Sequence, residues 1–252
     1  MPFANAHPNQ EIVTMFVNTT YRSTEEEIMD NLLMEGEMLR KTLDQIAVIN
    51  KRLGGNQATI SGLHSLLKTE PKNAVISIVD LGCGSGDMLR AVADFGRRNN
   101  FAFKLTGIDA NDYTVNYARK LSANYPEISY IKMDILSDEF SGITFDIAIT
   151  TLFLHHFTNQ QIENLLIPIV EKVRIGAIIN DLHRSKTAYY LFKAVSFFIK
   201  NPMVKTDGAI SVLRGFKKNE LININKKLKN TVSSIRWKWA FRYQWIIKKV
   251  CQ

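Results

Sequence analysis

Between Ala74 and Leu182 five short runs rich in isoleucine and valine recur: AVISIVDLG, FKLTGID, ISYIKMD, TFDIAITTLF and RIGAIINDL. A segment that can be helical separates each run from the next. Strand and helix alternating in this way imply a parallel sheet with helices on both faces, because parallel neighbours must be joined by long crossovers. In such α/β sheets a ligand sits outside the carboxyl ends of the strands. Polar residues collect at those ends here: Asp80, Asp109, Asp134, the pair Thr150 and Thr151, and Asp181.

The flanks read differently. Ser23 followed three residues on by Glu26 fits a capping box, and Ile28, Leu32, Leu39, Leu43, Ile46 and Leu53 then recur at helical spacing up to Gly54-Gly55. This predicts a long N-terminal helical arm, broken near Gly36, and a second helix over Ala58 to Leu67. The expected division is a helical arm or lid over residues 1–70 and a ligand-binding body over 71–252. Past the fifth run, SKTAYYLFKAVSFFIKNP reads as an aromatic helix stopped by Pro202, and Lys217 to Lys229 as a basic helical stretch. The closing VSSIRWKWAFRYQWII, β-branched and aromatic, reads as a terminal hairpin.

With 252 residues, 46% of them apolar, the chain has enough core for one globular domain with a decoration. No run approaches the roughly 18 apolar residues of a membrane-spanning helix. The start, MPFANAHPNQ, lacks the basic and apolar regions of a secretion leader, so a cytoplasmic protein is expected. Cys83 and Cys251, the two cysteines, suggest reduced thiols rather than a disulfide or a metal knuckle. Charge is uneven: Met1 to His183 holds 16 Lys+Arg against 22 Asp+Glu, and Arg184 to Gln252 holds 16 against 2. A tail at +14 suits contact with nucleic acid or an anionic surface, and equally a set of solvated helix faces.

The stretch VDLGCGSGDML narrows the ligand. Its pattern is Asp80-x-Gly82-x-Gly84-x-Gly86, whereas a dinucleotide turn, G-x-G-x-x-G/A, would need Gly or Ala where Asp87 stands. A pyrophosphate on that helix start would meet a second negative charge; a nucleoside with a positive centre and no phosphate would not. Asp109, 23 residues beyond Gly86, is placed to accept ribose hydroxyls, and Asp134 to meet an adenine amine.

These motifs resemble those of class I S-adenosylmethionine-dependent methyltransferases: DLGCGSG as the glycine motif, LTGIDAN as the ribose motif and IKMDI as the adenine motif. The resemblance implies a Rossmann-like, seven-stranded, mostly parallel sheet with an antiparallel terminal strand that the hairpin supplies. It implies S-adenosylmethionine as cofactor, with Gly82, Cys83 and Gly84 at its methionine part, Asp109 and Ala110 at the ribose, and Asp134 and Ile135 at the adenine. Thr151 and Leu152 would floor the sulfonium. Further stretches, LMEGEMLRKTLDQIAVINKRLGGN, TLFLHHF, INDLHRSKTAYYLFK and SVLRGFKK, are similar to bacterial methyltransferases of aromatic polyketide and pigment pathways. A small aromatic acceptor, methylated on oxygen or carbon, is the expectation this carries.

Methyl transfer is an in-line displacement in which alignment does most of the work, and a phenolic acceptor also gains from a base. His155, His156 and His183 come after the fourth and fifth strands and are the candidates. His183 is the leading one, with Asp181 as its orienting partner and Arg184 as an anchor for an acidic acceptor. Tyr189, Tyr190, Phe192, Phe197 and Phe198 are expected either to roof the acceptor or to be the buried side of a helix. No pair has metal-ligand spacing, so no metal is expected. Competing readings are an RNA methyltransferase using the basic tail and RWKWAFRY, which the absence of an Asn/Asp-Pro-Pro-aromatic stretch after the fourth strand disfavours, and a non-catalytic cofactor-binding partner protein.

Overall fold

The computed structural model describes residues 17–250; the leader reading of the first residues and Cys251 fall outside them. Seven strands form one sheet: β1 (Val75–Leu81), β2 (Ala102–Asp109), β3 (Ile128–Lys132), β4 (Ile147–Thr151), β5 (Gly176–Leu182), β6 (Thr231–Lys238) and β7 (Arg242–Lys249). Their order is β3-β2-β1-β4-β5-β7-β6. The first five strands run parallel, and β7 alone opposes its neighbours β5 and β6. The terminal hairpin thus closes the sheet, as the resemblance implied. Strand order reverses between β1 and β4, and that reversal opens the crevice in which α/β sheets bind ligands.

Helices cover both faces. On one, α2 (Gly55–Leu66), α3 (Asp87–Asn99) and α4 (Asp112–Leu121) bury Leu63, Leu66, Leu89, Val92 and Val115 against Ile76, Ile78 and Ile178. On the other, α5 (Asn159–Lys172) and α8 (Lys218–Asn225) pack Ile162, Leu166 and Leu221 against Val79, Ala148 and Trp245. At about 25 cal/mol per Å², burial of these aliphatic stripes is the main force holding the layers together. Among the described residues no helix is long and apolar enough to cross a membrane.

Two local readings are corrected. The arm's helix, α1, spans Glu37–Arg52 and starts after Gly36 at φ 90°, instead of at Ser23. Residues 23–36 are non-helical apart from one tight turn at Ile28–Asp30. Tertiary partners replace the helical ones: Ile28 and Met29 donate their N–H groups to the Asp207 carboxylate at 2.9 and 3.1 Å, and Ser23 caps only Glu25. Pro202 does not end the aromatic helix. That helix, α6 (Lys186–Ser196), stops earlier, and Pro202 is the first residue of α7 (Pro202–Arg214), where its missing N–H costs nothing. Asn201 caps α7, its Oδ1 accepting from Met203 and Val204.

Candidate active site

The glycine turn is pinned to β2 by N–H bonds from Gly82 and Cys83 to the Ile108 carbonyl at 2.9 and 3.1 Å. Gly82, Gly84 and Gly86 all have left-handed φ, at 68°, 51° and 74°. Their surroundings differ. A Cβ on Gly82 would sit 2.1 Å from the Phe153 ring and one on Gly86 2.0 Å from Tyr130 Oη, whereas one on Gly84 would meet only Leu43 at 3.8 Å. Gly82 and Gly86 therefore serve packing, and Gly84 is where backbone faces open space. That space is a cavity of about 1120 Å³ over the carboxyl ends of β1, β2, β4 and β5.

Carboxylates face it. Asp109 accepts from the N–H of Gly84 (Oδ2, 3.1 Å) and of Asn111 (Oδ1, 3.0 Å). Burial raises its carboxyl pKa and these N–H groups oppose the rise. Asp80 is buried with Oδ1 unpartnered, and its carboxyl is pushed well above the usual range by burial, then by the negative charges of Asp87 and Asp109. Asp134, exposed at the rim, accepts from Leu136 N–H beside buried Ile135. Acids left short of positive partners around an open cavity make a site for hydrogen-bond donors and positive charge. Ribose hydroxyls, an ammonium and a sulfonium fit that demand; phosphates do not. Ala110, Cys83 and Leu152 line the same cavity, although the Cys83 thiol itself is buried and its pKa raised by that burial.

Past β4 the chain turns sharply. Leu152 takes φ 55°, a strained value for a side chain with a Cβ, and its N–H is held by the Asn180 carbonyl at 2.9 Å. Thr151 is tied to α2 through Thr59 at 3.0 Å. Asp181 fixes the next residues of the turn: Oδ2 accepts from the N–H of Phe153 and of His155, both at 3.2 Å, and Oδ1 takes His155 Nδ1 at 2.7 Å. The expected partnership of Asp181 with His183 is thus corrected to one with His155. Arg184 is no acceptor anchor either; it is buried, bonded to Glu220 at 2.6 Å and to the carbonyls of Thr19 and Thr20. His183 lines the cavity, but its Nδ1 lone pair accepts from Trp237 Nε1 at 3.2 Å, and burial together with the charges of Arg184 and Lys217 lowers its pKa. The aromatic stripe divides. Phe192 lines the cavity beside Leu191, Val195 and Ile199, while Phe197 and Phe198, past the end of α6, are 80% and 82% exposed.

The fold also brings to His155 and His156 three residues that no sequence spacing flagged, Glu27, Asp30 and Arg214. His156 Nδ1 lies 2.6 Å from Asp30 Oδ1, and Asp30 Oδ2 accepts from Arg214 at 2.5 Å. Burial raises the Asp30 pKa, but bonds from His156 and Arg214 outweigh it and hold the carboxyl far below its usual range. Glu27 Oε1 sits 3.5 Å from His155 Nε2 and 3.9 Å from His156 Nδ1 with no hydrogen bond of its own. Burial pushes Glu27 up to about 7 although His156, Ser211 and Arg214 pull it down. Donor atoms of Glu27, His155 and His156 fall within 4.8 Å of one another, a spacing compatible with a metal ion, yet the Arg214 guanidinium already stands 3.7 Å from Glu27 as counter-charge. Of the tail's 16 cations, Arg184, Arg214 and Arg242 are buried, so part of its +14 is internal.

Residues 78–176 match a family model described as a methyltransferase domain. No curated protein sequence matches the chain. Among solved structures, the plantazolicin methyltransferase BpumL in complex with SAH is 15% identical with a TM-score of 0.61, over 85% of this chain and all of that one. The magnesium protoporphyrin IX methyltransferase ChlM from Synechocystis PCC 6803 with bound SAM is 11% identical, TM-score 0.53, covering 88% and 89%. The CMeT domain of the citrinin polyketide synthase is 15% identical, TM-score 0.58, covering 78% and 52%. Strand order, glycine turn and domain match define a Rossmann-like methyltransferase fold. Residues 78–176 thus carry the methyltransferase-domain likeness on the part of the sheet that holds the glycine turn and Asp109, and the first two of these neighbours were solved with SAH or SAM bound.

Proposed function

We propose that this chain is a class I S-adenosylmethionine-dependent methyltransferase that methylates oxygen or carbon of a small aromatic or polyketide-derived acceptor, with His156 as the base. The observation that carries the assignment is the His156–Asp30 pair at the cavity wall. With Nδ1–H donated to Asp30, the ring keeps its Nε2 lone pair for an acceptor proton, and Asp30 stabilises the imidazolium that forms. His156 is 23% exposed against 3% for His155, whose Nδ1 is taken by Asp181 and whose Nε2 is turned to Glu27. A neutral His183, with its lone pair on Trp237, holds its proton on Nε2 and is suited to donate a hydrogen bond to the acceptor rather than to abstract from it.

The cofactor, when bound, supplies an electrophilic methyl group. The chain's part is to place it: Asp109 accepts ribose hydroxyls, Ile135 and Asp134 flank the base, and the Gly84 backbone admits the methionine part. Leu191, Phe192, Val195 and Ile199 give the acceptor an apolar wall that excludes water. Neighbours named for a plantazolicin substrate, a magnesium porphyrin and a polyketide synthase support an acceptor from natural-product chemistry.

Turnover of methyl-labelled S-adenosylmethionine with a panel of phenols and β-diketones tests the assignment. His156→Gln should lower kcat by about 10²–10⁴-fold with SAH affinity unchanged, and His183→Gln should act mainly on acceptor KM. Wild-type kcat in His156→Gln would remove the histidine from its role.

A further inference from the structure

Deep in the cavity lies a set of charged groups that base catalysis does not use. Arg242, the first residue of β7, is 2% exposed, and its Nε and Nη1 have no hydrogen-bond partner among the described residues. Burial lowers the guanidinium to about 10, and the nearby charges of Asp181 and Asp87 pull it back only in part. Asp80 Oδ1, Asp87 Oδ2 and Asn50 Oδ1 are likewise buried without partners. All four side chains line the cavity. Gly55 makes room for them: a Cβ there would stand 2.8 Å from Arg242 Nη1 and 1.7 Å from Asn50 Oδ1. A buried cation and buried acids that share one wall without pairing to each other are arranged for a ligand carrying both charges.

We propose that Arg242 receives the α-carboxylate of the cofactor's methionine part, while its ammonium lies toward Asp80 and Asp87. The inference rests on the cofactor reading above and adds a specificity: the site selects cofactors that keep their amino-acid end. A buried guanidinium without a carboxylate partner matches the cofactor's carboxylate in charge and in donor chemistry.

Calorimetric titration of the full chain with SAH and with 5′-methylthioadenosine, which keeps the nucleoside but lacks the amino acid, tests this. Arg242→Met should weaken SAH about 100-fold and change 5′-methylthioadenosine less than about threefold, because charged hydrogen bonds are lost from one ligand only. The unliganded variant should melt no lower than wild type, since an uncompensated buried charge has been removed. Arg242→Lys should fall between the two. Parallel weakening of both ligands, or no weakening of SAH, would overturn the assignment. Should Arg242→Met not fold, the wild type decides alone: it should bind decarboxylated S-adenosylmethionine about 100-fold more weakly than S-adenosylmethionine, and equal binding would defeat the proposal. Wild-type protein that bound neither SAH nor 5′-methylthioadenosine would instead bring down the cofactor reading itself.

Discussion

Glu27 couples folding to pH with a definite sign. Its carboxyl has an ordinary value of 4.5 and is raised to about 7 in the folded chain, by burial first. Between those two values the folded state holds a proton that the unfolded state has released, so folding is stabilised at low pH and that stabilisation is lost as pH rises to 7. A shift of this size gives about 2.5 kcal/mol of difference between pH 5 and pH 8 at 1.36 kcal/mol per unit. Glu27→Gln keeps the shape, the neutral state and an oxygen for the Ser211 hydroxyl, which now donates to Glu27 at 2.7 Å. The variant should therefore match wild type near pH 5 and exceed it by about 2–3 kcal/mol at pH 8. Urea titrations at both pH values read this as a midpoint difference of roughly 1 M that opens only at the higher pH. Taking differences between the two proteins cancels Asp80, Asp87, Asp109 and Asp207, whose raised carboxyls give slopes of the same sign. An offset that stayed constant with pH would contradict a proton held on Glu27. So would a variant that lost stability toward pH 8, because Glu27 would then be an ionised partner of Arg214.

Other substitutions separate packing from chemistry. Asp181→Asn weakens the bonds that hold Phe153 and His155, and buried donors left short of a charged acceptor cost about 1.5–3 kcal/mol, a fall in melting temperature of roughly 5–10 °C by calorimetry. Gly86→Ala drives a Cβ to within 2.0 Å of Tyr130 Oη and should destabilise by more than about 2 kcal/mol in denaturant titrations. Gly84→Ala meets open space, so stability should fall by only about 1–2 kcal/mol while SAH binding, tracked by fluorescence, drops at least tenfold. Asp109→Ala should weaken SAH by about 10²-fold through lost hydroxyl contacts, and a wild-type affinity would exclude Asp109 from the ribose role.

The sheet and the glycine-turn wall of the cavity are legible in the sequence, because both are built from contiguous pieces. Each strand-end acid is fixed by the strand it terminates, and the glycine turn carries its backbone conformations in its own composition. Asp80, Asp109 and Asp134 are therefore placed by chain order alone. The hairpin is legible for the same reason, as its strands are neighbours in the chain and pair with each other. Even there, the sequence does not distinguish Gly84 from Gly82 and Gly86, since which glycine faces space depends on where Phe153 and Tyr130 lie.

The histidine wall of the cavity is set by the folded arrangement. Asp30 reaches His156, and Glu27 reaches His155, across more than a hundred residues. Asp181 lies two residues from His183 in sequence, yet their side chains meet different partners, His155 and Trp237, once β5 is in the sheet. Arg242 stands in a basic stretch that reads as solvent-facing until β7 is inserted beside β5 and its side chain is buried. Helical spacing over residues 23–36 gives way because the carboxylate of Asp207, on α7, captures the N–H groups that a helix would have used. Local patterning records what a backbone segment does for itself; partnerships between buried charges are written only in the assembled fold, because they join residues that lie far apart along the chain.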